Sequence, residues 1–158
     1  MFQVDARPET GHKAPDFTLV DSIGDKVRLY DILGKENVLL AFYRGQADPY
    51  GLGWLSTLSD DYLAIRALDT EVLAISSDNM EKALDTGGRY ELPFRLLCDP
   101  ELNVISAYNV EDDMESIART AAFVIDKTGT IRYMYVGRAA PDVPSDIDIL
   151  KVLRKMTG

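Results

Sequence analysis

The sequence predicts an α/β domain in which a central mixed sheet carries helices on both faces and a β-hairpin comes first. Short apolar runs, typical of buried strands, alternate with longer segments whose apolar residues recur at spacings of three and four. Near each end of the chain, strand-like residues flank a turn that contains glycine. The 158 residues, 46% of them apolar, suffice for a single domain, 1–158, with a substantial core.

The N-terminal part is expected to form a hairpin followed by a buried strand. Residues 17–19 and 27–29 alternate between apolar and polar, and residues 21–25, which include Gly24, form the turn between them. Residues 38–42 are a short continuous apolar run. Such a run is expected of a strand buried on both faces.

A helix is expected to begin at Asp48-Pro49, because aspartate is a favoured N-cap and proline is favoured at the first helical position. Apolar residues then recur at helical spacing, which predicts one helix that covers the sheet. These residues are Leu55, Leu58, Tyr62, Ile65 and Leu68.

A second strand and helix follow. Residues 72–75 read as a buried strand, and Asp78 with Glu81 forms a possible capping box. The helix that this box would start is expected to end near Gly87-Gly88, since glycine commonly terminates helices.

The remaining elements complete the sheet. Residues 94–97 predict a strand and 102–108 a short helix, while 122–125 and 131–136 predict a second hairpin. A closing helix is expected to start at Ser145. Its inward-facing residues are Ile149, Leu150, Leu153 and Met156. In sheets of this kind, ligands bind at the carboxyl ends of the central strands.

Composition excludes several function classes. The net charge of −9, from 26 acidic and 17 basic residues, argues against nucleic acid or an anionic membrane as the partner. No signal peptide is visible in MFQVDARPETG, and the single cysteine fits a reducing compartment, so we expect a cytoplasmic protein. We expect no metal and no cofactor, because His12 and Cys98 are isolated. The acidic run 111–115 lacks the pattern of a calcium loop and reads as a solvated turn or helix start.

The stretch LLAFYRGQADPYGLGW, residues 39–54, has the position of an active site without its chemistry. It runs from a buried strand through a glycine-bearing turn into a helix start. Such a helix start stabilises an anion or mounts a nucleophile. However, no cysteine, histidine, serine or lysine occurs between Arg44 and Trp54.

A series of short motifs runs along nearly the whole chain in a characteristic order. They are Gly11-x-x-Ala14-Pro15-Asp16-Phe17-x-Leu19, Gly24, Leu29, Gly34-Lys35, Phe42-Tyr43-Arg44-Gly45, Leu96-Leu97-x-Asp99-Pro100, Ala107-Tyr108-x-Val110 and Phe123-Val-Ile-Asp126-Lys-x-Gly129-x-Ile131-Arg132. Together they resemble the peroxiredoxin-like proteins of the alkyl hydroperoxide reductase/thiol-specific antioxidant (AhpC/TSA) family. The resemblance implies a thioredoxin-like fold of the peroxiredoxin type, thiol-dependent antioxidant activity and frequent pairing into dimers.

The sequence departs from the family at the residues that react with peroxide. In the family's Phe-Tyr-Arg-Gly-x-Trp-Cys-Pro-Tyr-Cys form, the two cysteines fall on Asp48 and Gly51, and the tryptophan falls on Ala47. In the Thr-x-x-Cys form, the threonine falls on Asp48 and the cysteine again on Gly51. The family's paired arginine falls on Thr120, one residue from Arg119. A thiolate is needed to form the sulfenic acid, so this degenerate site is not expected to reduce peroxides.

Three functions remain open from the sequence. The favoured one is a binding or regulatory module that has lost peroxidase activity and works as a homodimer or with another protein. Exposed Tyr50 and Trp54 at the pairing surface would be consistent with it, although Trp54 is either a core residue or a surface anchor. The alternative is a residual thiol oxidoreductase that works through Cys98, although a buried, inert Cys98 is also compatible with the sequence. The second alternative is a small-anion binder at Arg44 and the helix start, unless Arg44 is paired with Asp48.

Overall fold

The structure is a computed structural model that describes residues 8–157. Seven strands in this range form one sheet with the order β2-β1-β5-β4-β3-β6-β7. The strands are β1 (Thr18–Asp21), β2 (Lys26–Arg28), β3 (Asn37–Phe42), β4 (Thr70–Ser76), β5 (Arg95–Cys98), β6 (Ala121–Ile125) and β7 (Ile131–Val136). The three central strands, β3, β4 and β5, are parallel to one another, whereas the outer pairs are antiparallel. The predicted mixed sheet is therefore confirmed.

Helices cover both faces of the sheet, as the sequence predicted. The helices in residues 8–157 are α1 (Leu29–Ile32), α2 (Pro49–Asp60), α3 (Tyr62–Arg66), α4 (Met80–Arg89), α5 (Asn103–Ala107) and α6 (Asp146–Thr157). One face packs against α1 and α5, and the other against α2, α3, α4 and α6. Leu40 and Phe42 of β3 point to the first face, while Leu39 and Ala41 point to the second. Every residue of β3 is buried, because a strand between two helical layers meets no water.

The N-terminal hairpin has the predicted turn, although Leu29 begins α1 instead of ending a strand. Leu19 of β1 faces Val27 of β2. The Asp21 carboxylate accepts hydrogen bonds from the amides of Ile23 and Asp25, and Gly24 has a φ of 95°. Glycine is favoured there because it adopts a left-handed conformation without steric strain.

The predicted helix from Asp48 to Leu68 is wrong in its continuity. The chain forms α2 up to Asp60 and α3 from Tyr62, with Asp61 outside helical geometry between them. Apolar residues keep helical spacing across this break because both segments pack on the same face of the sheet. Hydrophobic periodicity reports which face is buried, so it does not reveal a local change in backbone direction.

The predicted capping box at Asp78 and Glu81 is also wrong. Asn79 caps α4, and its side chain accepts a hydrogen bond from the Lys82 amide at 2.9 Å. The Asp78 carboxylate instead accepts the Gln46 amide at 2.8 Å, in the loop that follows β3. A tertiary contact therefore uses the side chain that local sequence assigned to the helix.

The expectations about membranes, metal ions and a signal peptide can be compared with the structure only within residues 8–157. In the part of the chain that the structure describes, no helix is long and apolar enough to cross a membrane. No group of three or more histidine, cysteine or acidic residues within 8–157 is placed to hold a metal ion. Residues 1–7, which carry most of the stretch read for a signal peptide, lie outside the described residues.

Candidate functional site

The helix start after β3 is capped by a carboxylate. Asp48 has an extended backbone and lies at the N-cap of α2, and Pro49 follows as its first residue. Its two carboxylate oxygens accept the amides of Tyr50 at 3.1 Å and Gly51 at 3.2 Å. The side chain is almost covered, with Asp48 8% exposed. The amides that could stabilise a bound anion at this helix start therefore already donate to the protein's own Asp48 carboxylate.

Gly51 lies buried beside this carboxylate. A Cβ atom at Gly51 would lie 3.0 Å from Oδ2 of Asp48 and 3.5 Å from Cβ of Tyr43. The φ angle at Gly51 lies outside the left-handed region, so the backbone itself does not require glycine there. A small side chain at position 51 can therefore be accommodated only if the Asp48 carboxylate moves by a few tenths of an ångström.

Arg44 is neutralised by the acidic run. Its guanidinium nitrogens lie 2.9 Å from Asp112 and 3.1 Å from Glu115, whereas the nearest ion-pair contact to Asp48 is 3.9 Å. The expected pairing of Arg44 with Asp48 is thus the weakest of three contacts. The depression at the helix start, about 410 Å³ in volume, includes Arg44, Asp48 and Glu115 in its lining. The carboxylates of Asp48, Asp112 and Glu115 surround the Arg44 guanidinium, and their negative charge disfavours binding of a small anion there.

The acidic run, residues 111–115, forms an ordered turn that is held by hydrogen bonds. A bridge between Glu111 and Ala118 closes it, and the Asp112 carboxylate accepts the amides of Met114 and Glu115. These hydrogen bonds, led by that from the Met114 amide and joined by the contact with Arg44, lower the pKa of Asp112. The Asp112 carboxylate is therefore ionised at neutral pH where it contacts the Arg44 guanidinium.

Arg119 belongs to a different depression. Its guanidinium lies 3.0 Å from Asp113, and it lines a concavity that also includes Glu9 and Met134. It does not line the depression that contains Arg44. Thr120, at the family's arginine position, is buried and its hydroxyl has no hydrogen-bond partner among the described residues.

Cys98 ends β5 and is 7% exposed. It lies opposite Ser76 of β4 and Val20 of β1. Burial raises the pKa of the Cys98 thiol, and the negative charges of Asp78 and Asp21 raise it further. The thiol is therefore protonated at neutral pH, and no arginine lines the cavity at its position.

The two aromatic residues proposed for a pairing surface differ. Tyr50 is 52% exposed, as expected. Of the two alternatives for Trp54, the core residue is correct and the surface anchor is wrong, because Trp54 is 3% exposed and its indole Nε1 donates to Asp146 of α6 at 3.1 Å. The packing of α6 over α2 buries it, which the spacing within α2 alone does not reveal.

Two further residues, Tyr43 and Gly45, shape the loop after β3. A Cβ at Gly45, whose φ is 123°, would lie 2.9 Å from Oδ1 of Asp78, so glycine is required for this approach. Tyr43 is fully buried. Burial raises the pKa of Tyr43, which excludes it as a base at neutral pH. Both residues belong to the motif Phe42-Tyr43-Arg44-Gly45 that marked this loop in the sequence.

The sequence is similar to that of known proteins over most of its length. The sequence model of the AhpC/TSA family matches residues 10–134. This chain belongs to the AhpC/TSA family. A 2-cysteine peroxiredoxin of Chattonella marina var. antiqua is 34% identical over 80% of this chain and 69% of the relative. The 2-Cys peroxiredoxin BAS1 of Arabidopsis thaliana is 28% identical over 97% of this chain, which spans 63% of the relative's length.

A solved structure confirms the fold of this family member. Peroxidoxin BcpB of Mycobacterium tuberculosis superimposes with a TM-score of 0.84 over 93% of this chain and 97% of that chain, at 22% identity. The predicted thioredoxin-like, peroxiredoxin-type fold is thus confirmed. The single cysteine of the chain, at position 98, fits the substitution of both family cysteine positions by Asp48 and Gly51.

Proposed function

We propose that this AhpC/TSA-family domain does not reduce peroxides and acts as a binding or regulatory module in the cytoplasm. The observation that carries the proposal is the pair of hydrogen bonds from the Tyr50 and Gly51 amides to the Asp48 carboxylate. A carboxylate is held directly beside Gly51, the position on which a family cysteine falls in both alignments.

The chemistry of the helix start supports this loss of activity. Peroxide reduction begins when a thiolate attacks one peroxide oxygen and becomes a sulfenic acid. A carboxylate has no comparable reversible oxidation. Because Asp48 also occupies the amide donors at the helix start, it removes the stabilisation that a neighbouring thiolate would receive.

The two alternatives find less support in the described contacts. Cys98 is buried and its pKa is raised, so the reactive thiolate is scarce at neutral pH. Arg44 already contacts Asp112 and Glu115, and a small anion would have to displace them. Both features favour a domain whose role is contact with a partner.

The exposed Tyr50 supports a protein partner at this end of the sheet. Large aromatic side chains contribute strongly to protein interfaces, and Tyr50 projects from the first turn of α2. The partner is a second copy of the chain or another protein. An exposed tyrosine elsewhere, Tyr90 after α4, provides a matched control surface.

A peroxidase assay with a dithiol reductant tests the loss of activity. We expect the wild-type chain and Cys98→Ser to consume hydrogen peroxide no faster than buffer, whereas the Chattonella 2-cysteine peroxiredoxin serves as the active control. Turnover by the wild type that disappears in Cys98→Ser would establish the alternative of a thiol oxidoreductase.

Sedimentation of the purified chain tests the pairing surface. We expect a concentration-dependent dimer that Tyr50→Arg dissociates and Tyr90→Arg leaves intact. If wild type and Tyr50→Arg are both monomeric, the partner is another protein. If Tyr50→Arg dimerises as the wild type does, the pairing surface does not include Tyr50.

A further inference from the structure

A second concavity in the structure lies outside the degenerate site. It has a volume of about 680 Å³ and opens between β1, the first turn of α4 and the segment that leads into α5. The first turn of α4 separates it from the depression at Arg44, because Met80 lines the cavity whereas Lys82 lines the depression. Its size falls within the range that binds small organic molecules.

The wall of this cavity is mainly apolar. Leu19 and Val20 of β1, Met80 of α4 and Val104 of α5 supply carbon surface, and Cys98 is a further lining residue. Apolar surface continues outside the cavity, since Met80 is exposed and lies against the exposed β1–β2 turn at Gly24. A flexible methionine at such a surface adapts to ligands of different shape.

The charged groups at the cavity are all acidic. Glu81, Asp99 and Glu101 line it, and no lysine or arginine does. Oδ2 of Asp99 is committed to the amides of Val104 and Ile105 at 2.9 and 2.7 Å. Glu81 and Glu101 are exposed, and within residues 8–157 neither forms an ion pair with a lysine or arginine. Two carboxylates thus remain available to a ligand.

We propose that this cavity binds a small amphiphilic amine, with the alkyl part on the apolar wall and the ammonium group at Glu81 and Glu101. Charge complementarity at the rim selects this occupant over a second copy of the chain paired through the same surface, because such a copy would bring the same acidic rim against Glu81 and Glu101. An anionic or neutral amphiphile of the same length gains the apolar contact but not the ionic one. The site is separate from Asp48, so it exists whether or not the domain reduces peroxides.

Titration of the full chain with octylamine, followed through backbone amide NMR shifts, tests the proposal. We expect saturable shifts at Val20, Cys98 and Val104, with weaker binding of octan-1-ol and the weakest binding of octanoate. The double variant Glu81→Gln with Glu101→Gln should weaken octylamine binding about two- to thirty-fold, the range for two exposed ion pairs. The charge-matched control Glu9→Gln with Glu91→Gln, outside the cavity lining, should leave it unchanged.

Four results would overturn the proposal. They are equal binding of octylamine and octanoate, octylamine shifts that map away from the cavity, an unaltered affinity in the Glu81 and Glu101 variant, and shifts at Val20, Cys98 and Val104 that follow protein concentration without any amphiphile. The last result would assign the groove to a second copy of the chain. Thr18→Trp provides a separate check: Thr18 is exposed at the cavity. The indole should fill the mouth and abolish octylamine binding while the fold is kept, and undiminished binding would place the amine elsewhere.

Discussion

Restoring a thiol at position 51 tests whether Asp48 controls the electrostatics of the helix start. In a Cys98→Ser background, Gly51→Cys creates the chain's only thiol next to the Asp48 carboxylate. The new Cβ would lie 3.0 Å from Oδ2 of Asp48, so the sulfur one bond further would lie on the order of 4 Å from it. We therefore expect the single substitution to give a thiol that ionises poorly.

The size of the effect follows from the distance and the burial of both groups. Two charges about 4 Å apart at an effective dielectric constant of about 20 repel by about 4 kcal/mol, which corresponds to about 3 pKa units. The helix dipole opposes this repulsion by at most about 2 kcal/mol. The thiol of Gly51→Cys should therefore have a pKa above the ordinary value of about 8.5. Adding Asp48→Thr keeps a cap and removes the charge, which should lower that pKa by about 2–3 units.

The rate of iodoacetamide alkylation as a function of pH measures both thiol pKa values. Thermal unfolding of the two variants provides the control for folding. Equal thiol pKa values with Asp48 and with threonine at position 48 would show that the carboxylate does not govern this position, and Asp48 would no longer contribute to the explanation for the lost peroxidase activity.

Three further predictions concern stability. Asp48→Ala should lower the free energy of unfolding by about 1 kcal/mol, whereas Asp48→Ser should retain most of the stability that the N-cap provides. Equal urea midpoints for the wild type and Asp48→Ala would show that the Asp48 cap does not stabilise α2. Burial, followed by the adjacent Asp61 carboxyl, raises the pKa of Asp146 to about 7 from 3.8, so the free energy of unfolding should fall as pH rises through this range. Asp146→Asn should flatten that decline and stabilise the chain at pH 8 by about 1–2 kcal/mol, discounted for partial exposure; unchanged pH dependence would contradict it. The lowered pKa of Asp112 implies stability that is present above about pH 4 and lost as pH falls through the folded pKa. Asp112→Asn, which weakens the contact with Arg44, should therefore destabilise by at most about 1 kcal/mol at pH 7, discounted for solvent screening, and by much less at pH 3; a constant difference would exclude this contact as the cause.

Local patterns were enough to predict the order of strands and helices and the position of the helix start at Asp48. Those features depend on periodicity and on the preferences of individual residues for turns and caps, which neighbours in sequence set. The same patterns misassigned Asp78, because its acceptor oxygens bind the Gln46 amide 32 residues earlier in the chain. They also left Trp54 undecided, since its burial depends on Asp146 and the packing of α6.

The sequence by itself determined the fold class, the family and the absence of a thiol at Asp48 and Gly51. Each of these is written in residue types and their spacing. Only the tertiary structure decided that the acidic turn neutralises Arg44, that the Cys98 thiol is buried and protonated, and that an acidic rim surrounds an apolar cavity. These properties arise from groups distant in the chain that folding brings within a few ångströms, where charge and burial set their chemistry.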